Sequence, residues 1–471
     1  MASYAYDRLT ALDYSFLALE KPNAYMHVAS TQIYEAGPLR LEDGGIDAEK
    51  FKKLTAAAIH QIPRYRQKLA YIPIENHPVW VDDPDFNIDY HLRHTALPRP
   101  GSDEQLKRLS ARIMQQHLDR SRPLWEMWLV EGLEGDRFAV ISKVHHCMID
   151  GVSGVDLMKV LMSATPEQAI PEEPEYIPRP APSGLGLLRD EIARRVRLPF
   201  QAVSDMRKLV NEAVDVRREL AVRARAVAAT LGQSLRRASP TPLNREIGPH
   251  RRFDWLSMDL AELKAVRRAL GGSLNDVVLT VVSGAVRRFL ERRSVNLAEL
   301  DFRVMTPVSI RSDDERGAMG NRVSAWVVPL PIDEADPLVR LERISKHTAE
   351  LKESKQAIGA DILTQAAEWS SSTLFALGAR NVTRLLPFNM VVTNVPGPQV
   401  PLYTLGAQMT ESYPHVPLMD NLGLGVALMS YNGKICWGFN ADYDLLPDLH
   451  DFVLAIEDAF EELQALAEAK G

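Results

Sequence analysis

Prolines set the main limit on how this chain can fold. Pro166, Pro171, Pro174, Pro178, Pro180 and Pro182 crowd one short acidic stretch, and Pro240, Pro242 and Pro249 form a second break. Proline fixes φ and has no N–H to donate, so neither stretch can hold a helix or a central strand. Between them, Leu187 to Arg237 has about two basic residues for each acidic one and apolar positions at helical spacing, which predicts one or two amphipathic helices. A chain of 471 residues also exceeds the length over which one hydrophobic core keeps growing. The expected organisation is an N-terminal domain over 1–165, a Pro-rich and basic connector over 166–250, and a C-terminal domain over 251–471.

Both outer segments read as α/β. In the first, Val28 to Tyr34 and Phe138 to Val144 have the pattern of strands, and Ala48 to Ile62 and Val152 to Met162 have that of helices. In the second, a strand is expected from Phe253 to Leu260 and helices over Leu274 to Arg293 and Pro337 to Lys355. Leu422 to Tyr431 and Lys434 to Ala441 flank Asn432-Gly433, the dipeptide best suited to a type I′ hairpin turn. No strong internal repeat is visible.

Composition narrows the function. A net charge of -7 argues against general nucleic-acid binding, which needs an excess of Lys and Arg. Cys147 and Cys436 are too few for a disulfide framework or a cysteine-rich metal site, which suits a reducing cytoplasm. The first residues lack the basic and apolar segments of a secretory signal. The longest apolar run, Val277 to Val286, is about half the ~20 residues that span a bilayer. The expected location is therefore cytoplasmic, with any membrane contact peripheral.

The chemistry concentrates in His145-His146-Cys147-Met148-Ile149-Asp150-Gly151. The strand pattern ends at the two histidines, and Gly151 supplies a turn before the next helix. Adjacent strand side chains face opposite sides of a sheet, so the two imidazoles should play different parts. An imidazole can take a hydroxyl proton at neutral pH and return it to a leaving group. Three other readings of the run stay open. It could be a buried hydrogen-bonded pair, a zinc site lacking the usual His-Glu-x-x-His or cysteine pairs, or a Cys147 nucleophile.

The string HHxxxDG resembles the active-site signature of the superfamily with a chloramphenicol-acetyltransferase-like fold. Further strings resemble, in order, those of the bacterial wax ester synthase/diacylglycerol acyltransferase family. They are Leu12-Asp-Tyr-Ser-Phe-Leu17, Met26-His-Val28, Pro123-Leu-Trp125, Asn275-Asp276, Pro307-Val-Ser-Ile-Arg311, Gly320-Asn321 and Asn394-Val-Pro-Gly-Pro398. The match covers nearly the whole chain and is weakest in the connector. The fold implied is two chloramphenicol-acetyltransferase-like domains, each a mixed sheet with flanking helices.

The resemblance implies an O-acyltransferase that moves a long-chain acyl group from acyl-CoA to diacylglycerol, to a fatty alcohol, or to both. His146 is implied as general base, with no covalent intermediate, no metal and no cofactor, since acyl-CoA is a substrate. His145 is implied as a supporting residue, Asp150 as a structural residue orienting the loop, and Gly151 as its turn. Arg311 is the candidate partner of Asp150. Asn275, Asp276, Asn394 and Gly397 are the candidate substrate-binding residues, although the Asn275-Asp276 pair, after Gly271-Gly272-Ser273, also suits a helix N-terminal cap. Pro123-Leu-Trp125 is read as a core aromatic with no chemical role. The expected partners are acyl-CoA, the acceptor lipid, and a membrane or lipid-droplet surface touched by the basic connector; nucleic acid is not among them. Two competing readings are transfer from an acyl carrier protein and a non-catalytic lipid-binding or droplet-coat protein.

Overall fold

The computed structural model describes residues 6–148, 160–196, 237–309, 323–353 and 387–470. In chain order the first half gives β1 (Tyr6–Arg8), α1 (Ala11–Leu19), β2 (His27–Glu35), α2 (Ala48–Ile59), β3 (Gln67–Tyr71) and β4 (Pro78–Asp82). It continues with the single turn α3 (Ile88–His91), β5 (Leu92–Ala96), α4 (Asp103–Met114), β6 (Trp125–Leu133) and β7 (Arg137–His145). The second half gives β8 (Arg251–Asp259), α5 (Leu260–Leu270), α6 (Leu274–Arg292), β9 (Arg303–Ser309), β10 (Val323–Pro329) and α7 (Pro337–Glu353). Then follow β11 (Met390–Pro396), β12 (Tyr403–Thr404), β13 (Ala407–His415), β14 (Leu424–Tyr431), β15 (Lys434–Asp442) and α8 (Leu449–Lys470).

These strands form two six-stranded mixed sheets and a small antiparallel sheet ordered β1-β4-β3. The first large sheet is ordered β12-β13-β2-β7-β6-β5, and the second β10-β9-β11-β14-β15-β8. Two of the first sheet's strands, β12 and β13, therefore come from residues 403–415. A boundary giving all of 251–471 to a separate second domain does not describe this exchange. Strand pairing is a long-range choice, and the local pattern of β13 suits either sheet.

Local signals account for much of the rest. Ala48 to Ile62 reads as one helix, but α2 stops at Ile59, because Ile62 precedes Pro63 and is pushed towards extended geometry. Asn432 and Gly433 both have positive φ, so β14 and β15 join through the expected primed turn. The Val277 to Val286 run is the buried middle of α6, packed within the second half's core. No single described helix is long and apolar enough to cross a membrane.

The halves meet through β13. Its Tyr413 stacks on Trp255 of β8 at 4.7 Å, and its His415 stacks on Phe253 at 3.4 Å. A Cβ on Gly438 of β15 would lie 1.9 Å from the Pro414 carbonyl oxygen, so only glycine permits this crossing.

The acidic Pro-rich stretch is tied down. The Arg179 guanidinium donates to both Asp82 carboxylate oxygens, at 3.0 and 2.8 Å, and Tyr176 packs under the Arg66 guanidinium at 4.7 Å. Residues 184–196 are helical, as the first part of the basic connector predicts; the rest of that segment lies outside the described residues.

Candidate active site

The site begins with strand alternation. On β2 and β7, His27 pairs with His145, Val28 with Val144, and Ser30 with Ser142. His27, Ala29, Lys143 and His145 therefore share one face, and Val28, Ser30, Ser142 and Val144 share the other. The first face packs towards α4 and β8, and the second towards α1 and α2. β7 ends at His145, and His146 opens a single 3-10 turn that runs to Met148.

His145 points into a buried polar network. The Cys147 N–H donates to its Nδ1 at 3.1 Å, so the ring proton sits on Nε2. That nitrogen lies 3.1 Å from Glu20 Oε1, off the line of a well-directed hydrogen bond. The same oxygen accepts the Met26 N–H at 2.9 Å and lies 3.6 Å from His27 Nε2, and the other carboxylate oxygen takes a hydrogen bond from Arg120. Burial opposes charge on Glu20, but His145, His27 and Arg120 hold its carboxyl well below the ordinary range. It remains an anion.

Glu20, His27 and His145 bring three ligand atoms close enough to suggest a metal site. The donor chemistry argues otherwise. A metal on His145 Nε2 would need the ring proton on Nδ1, donated to an acceptor, whereas here Nδ1 receives the Cys147 N–H.

His146 has different surroundings. Its N–H donates to the Met26 carbonyl at 2.7 Å, and its ring stacks on Phe16 of α1 at 3.8 Å. Nδ1 is enclosed and has no hydrogen-bond partner among the described residues. Burial, assisted by the nearby His145 and partly offset by its own main chain, lowers its pKa to about 4. His146 is therefore a neutral imidazole at physiological pH. Cys147 is buried, and burial pushes its thiol well above the ordinary value, so no thiolate nucleophile is available.

Asp150, Gly151 and Arg311 lie outside the described residues, as does Val152 to Lys159 of the expected helix. In α6, Ser273 is the N-cap and Asp276 closes a capping box. Asp276 Oδ2 accepts the Ser273 N–H at 2.7 Å and Oδ1 accepts from Thr348 at 2.8 Å, so both oxygens already serve the protein. Asn275 precedes it and is half-buried. Asn394 sits half-buried on β11, opposite Leu428. Gly397 follows where an added Cβ would lie 2.3 Å from the Ser430 carbonyl oxygen, which explains the glycine by close approach. Asp276 thus caps α6, and Gly397 stands where the chain passes close to Ser430. Trp125 is buried, as read, and its indole N–H donates to the Tyr65 carbonyl at 2.8 Å.

Two further residues carry the site and have no sequence motif of their own. Glu20 is one. The other is Lys143, fully buried and 3.0 Å from Glu126, whose ammonium also donates to the Ile113 and Gln116 carbonyls. A charged residue at an inward position of a predicted strand, as in Lys143, is the one signal that marks such a network.

Two large mixed sheets, exchanged strands and a histidine pair at a strand end define a chloramphenicol-acetyltransferase-like acyltransferase. Residues 9–278 match the wax ester synthase/diacylglycerol acyltransferase catalytic domain, and residues 319–464 match the C-terminal domain of the same enzymes. The chain belongs to the wax ester synthase/diacylglycerol acyltransferase family and is an acyltransferase. It is 33% identical to a putative diacylglycerol O-acyltransferase of Mycobacterium tuberculosis, over 98% of this chain and 90% of that protein. A probable diacylglycerol O-acyltransferase of the same organism is 31% identical, over 98% and 97%. Among solved structures, the wax ester synthase/diacylglycerol acyltransferase from Marinobacter aquaeolei VT8 superposes with a TM-score of 0.67 at 27% identity, covering 98% and 100%. The first condensation domain of the calcium-dependent antibiotic synthetase has a TM-score of 0.60 at 16% identity, covering 99% and 97%, a likeness of fold alone.

Proposed function

We propose that the protein transfers a long-chain acyl group from acyl-CoA to the hydroxyl of diacylglycerol or a fatty alcohol, with His146 as general base. The observation that carries this reading is a half-buried, neutral imidazole, stacked on Phe16 and held by its main chain to Met26 at the end of β7. His146 Nε2 takes the proton from the acceptor O–H as that oxygen attacks the thioester carbon. The tetrahedral intermediate then collapses, and the C–S bond breaks. The thiolate leaves with the proton from the imidazolium as free CoA. No covalent acyl-enzyme and no cofactor enter the sequence.

His145 acts as a positioning residue through Glu20, and Asp150 and Gly151 shape the loop that follows, with Arg311 as partner of Asp150. Asn275 and Asn394 remain the polar groups offered to substrate. Acceptors of this kind reside in membranes and droplets, so the protein works peripherally at such a surface from the cytoplasmic side.

The test is purified protein with palmitoyl-CoA and either dipalmitoylglycerol or hexadecanol, following thiol release and the product lipid. His146→Ala should lower turnover by roughly 10²–10⁴, or about 3–5 kcal/mol of transition-state stabilisation. A folded variant with near wild-type turnover would exclude the base. Acceptor-independent thiol release, or transfer only from an acyl carrier protein, would exclude the substrates.

A further inference from the structure

Apolar side chains left in water are ordinary one at a time, and a cluster of them marks a surface that something else covers. Among the described residues the five most exposed large apolar side chains are Ile74, Leu185, Ile177, Val196 and Ile192, from 91% to 56% exposed. Four of the five lie on the turn between β3 and β4 or on the helix over residues 184–196.

Helical spacing sorts that helix into two faces. Leu187 and Glu191 are buried, and Leu187 packs with Ile72, Val79 and Val81 at the small sheet. Leu185, Arg189, Ile192 and Val196 share the opposite face, and all four are exposed. The turn lies along the helix, since a Cβ on Gly184 would come within 3.3 Å of Pro73 and Arg195 pairs with Glu75 at 2.7 Å. Ile74 stands between those two contacts. Its φ is 71°, a left-handed conformation that a β-branched side chain resists, and its exposure gives no packing in return. Neither the turn nor the core needs an isoleucine there.

The charges of this edge identify what covers it. The Glu75 and Glu191 side chains are only 9% and 4% exposed, held by Arg8, Arg194 and Arg195, and Asp190, 20% exposed, lies 3.5 Å from Arg189. The Arg189 and Arg195 side chains are 84% and 50% exposed. Acids turned inward and cations turned outward around an apolar stripe complement a lipid surface of negative charge, where apolar tips enter the acyl boundary and arginines meet phosphates. We propose, resting on the peripheral placement given above, that Ile74 and the face of Leu185, Ile192 and Val196 seat the protein on an anionic phospholipid surface, with Arg189 and Arg195 against the headgroups.

The test is flotation of the full chain with vesicles of equal parts phosphatidylglycerol and phosphatidylcholine. The wild type should bind them, and the triple variant Ile74→Asn, Leu185→Ser, Ile192→Ser should bind about tenfold more weakly or worse. The variant should melt no lower than the wild type, because the three side chains are exposed and asparagine accepts positive φ more readily. Arg189→Gln should weaken binding about fivefold at low salt, a difference that high salt removes. Leu454→Ser, at an exposed leucine on α8 of the other half, should bind as the wild type does. Turnover of octanoyl-CoA with octanol in the absence of vesicles should be the same in the triple variant, whereas acylation of vesicle-embedded dipalmitoylglycerol should fall with binding. A folded triple variant that floats like the wild type, or an equal loss in Leu454→Ser, would overturn this edge and leave the peripheral reading standing. Wild-type protein that floats with no vesicle would overturn both. Flotation needs no turnover, so a failure of the acyl-transfer chemistry leaves the comparison decisive.

Discussion

At the residue scale the two adjacent histidines are separated by geometry and by charge. His145 faces an anion, and His146 faces an aromatic ring and little else. Glu20 joins them, because its Oε1 holds the Met26 N–H while the Met26 carbonyl holds the His146 N–H. Glu20→Gln keeps the size and removes the charge. It should lower kcat roughly tenfold to a hundredfold while leaving the acyl-CoA KM near the wild-type value, since small misplacement of a base is costly. A proportional loss in KM, or a collapse in thermal stability, would make the role merely structural. The pH profile follows from His146. A base whose pKa is lowered to about 4 stays deprotonated well below the ordinary histidine value. The acid limb of kcat/KM should therefore fall below pH 6, read within seconds of a pH jump so that unfolding does not intrude; a limb centred near pH 6.5 would contradict the burial. The histidine pair was legible in the sequence because strand alternation is local. Glu20 was not, because nothing near it in the chain announces a partner at position 145.

At the element scale, β7 is both a floor and a lever. Its alternation gives a polar face with Lys143 and His145 and an open face with Ser142 and Val144, and its end places His146. Lys143 also fixes the end of α4 by donating to the Ile113 and Gln116 carbonyls at its C-terminus. Lys143→Met should destabilise the protein by up to about 3–5 kcal/mol, because Glu126 would lose its nearest counter-ion and be left to Arg93 at 3.6 Å and the Trp128 indole N–H. Urea unfolding checks this, and a combined Lys143→Met and Glu126→Met variant should recover part of the loss. Helix and hairpin positions were largely readable: α6, α7, β2, β7 and the Asn432-Gly433 turn fall close to their expected places. The capping box of Ser273 and Asp276 shows where a motif had two meanings. The structure spends both Asp276 oxygens on the helix start and on Thr348.

At the scale of the whole molecule, the two halves are bound by exchange. β13 pairs with β2 in the first sheet while packing on β8 and β15 of the second. Gly438 marks the crossing. Gly438→Ala should separate β13 from β15 and lower both thermal stability and activity, seen as a reduced melting temperature with a parallel loss of turnover; an unaltered melting temperature would show that the crossing can relax. A cavity of about 170 Å³ beside α2 also belongs to this scale, since β12 supplies Thr404 to its lining.

The opening constraint was the proline-rich break, and by itself the sequence determined the α/β character on either side, the strand leading into His145-His146, and the family. Those are local facts: proline geometry, two-residue alternation and a contiguous motif need no distant partner. Tertiary structure alone decided that residues 403–415 complete the first sheet, that Glu20 links the two histidines, and that Ser30 and Ser142 face each other across β2 and β7. Each depends on residues far apart in the chain meeting at one register, and hydrogen bonding between strands carries no local signature of which strands will pair.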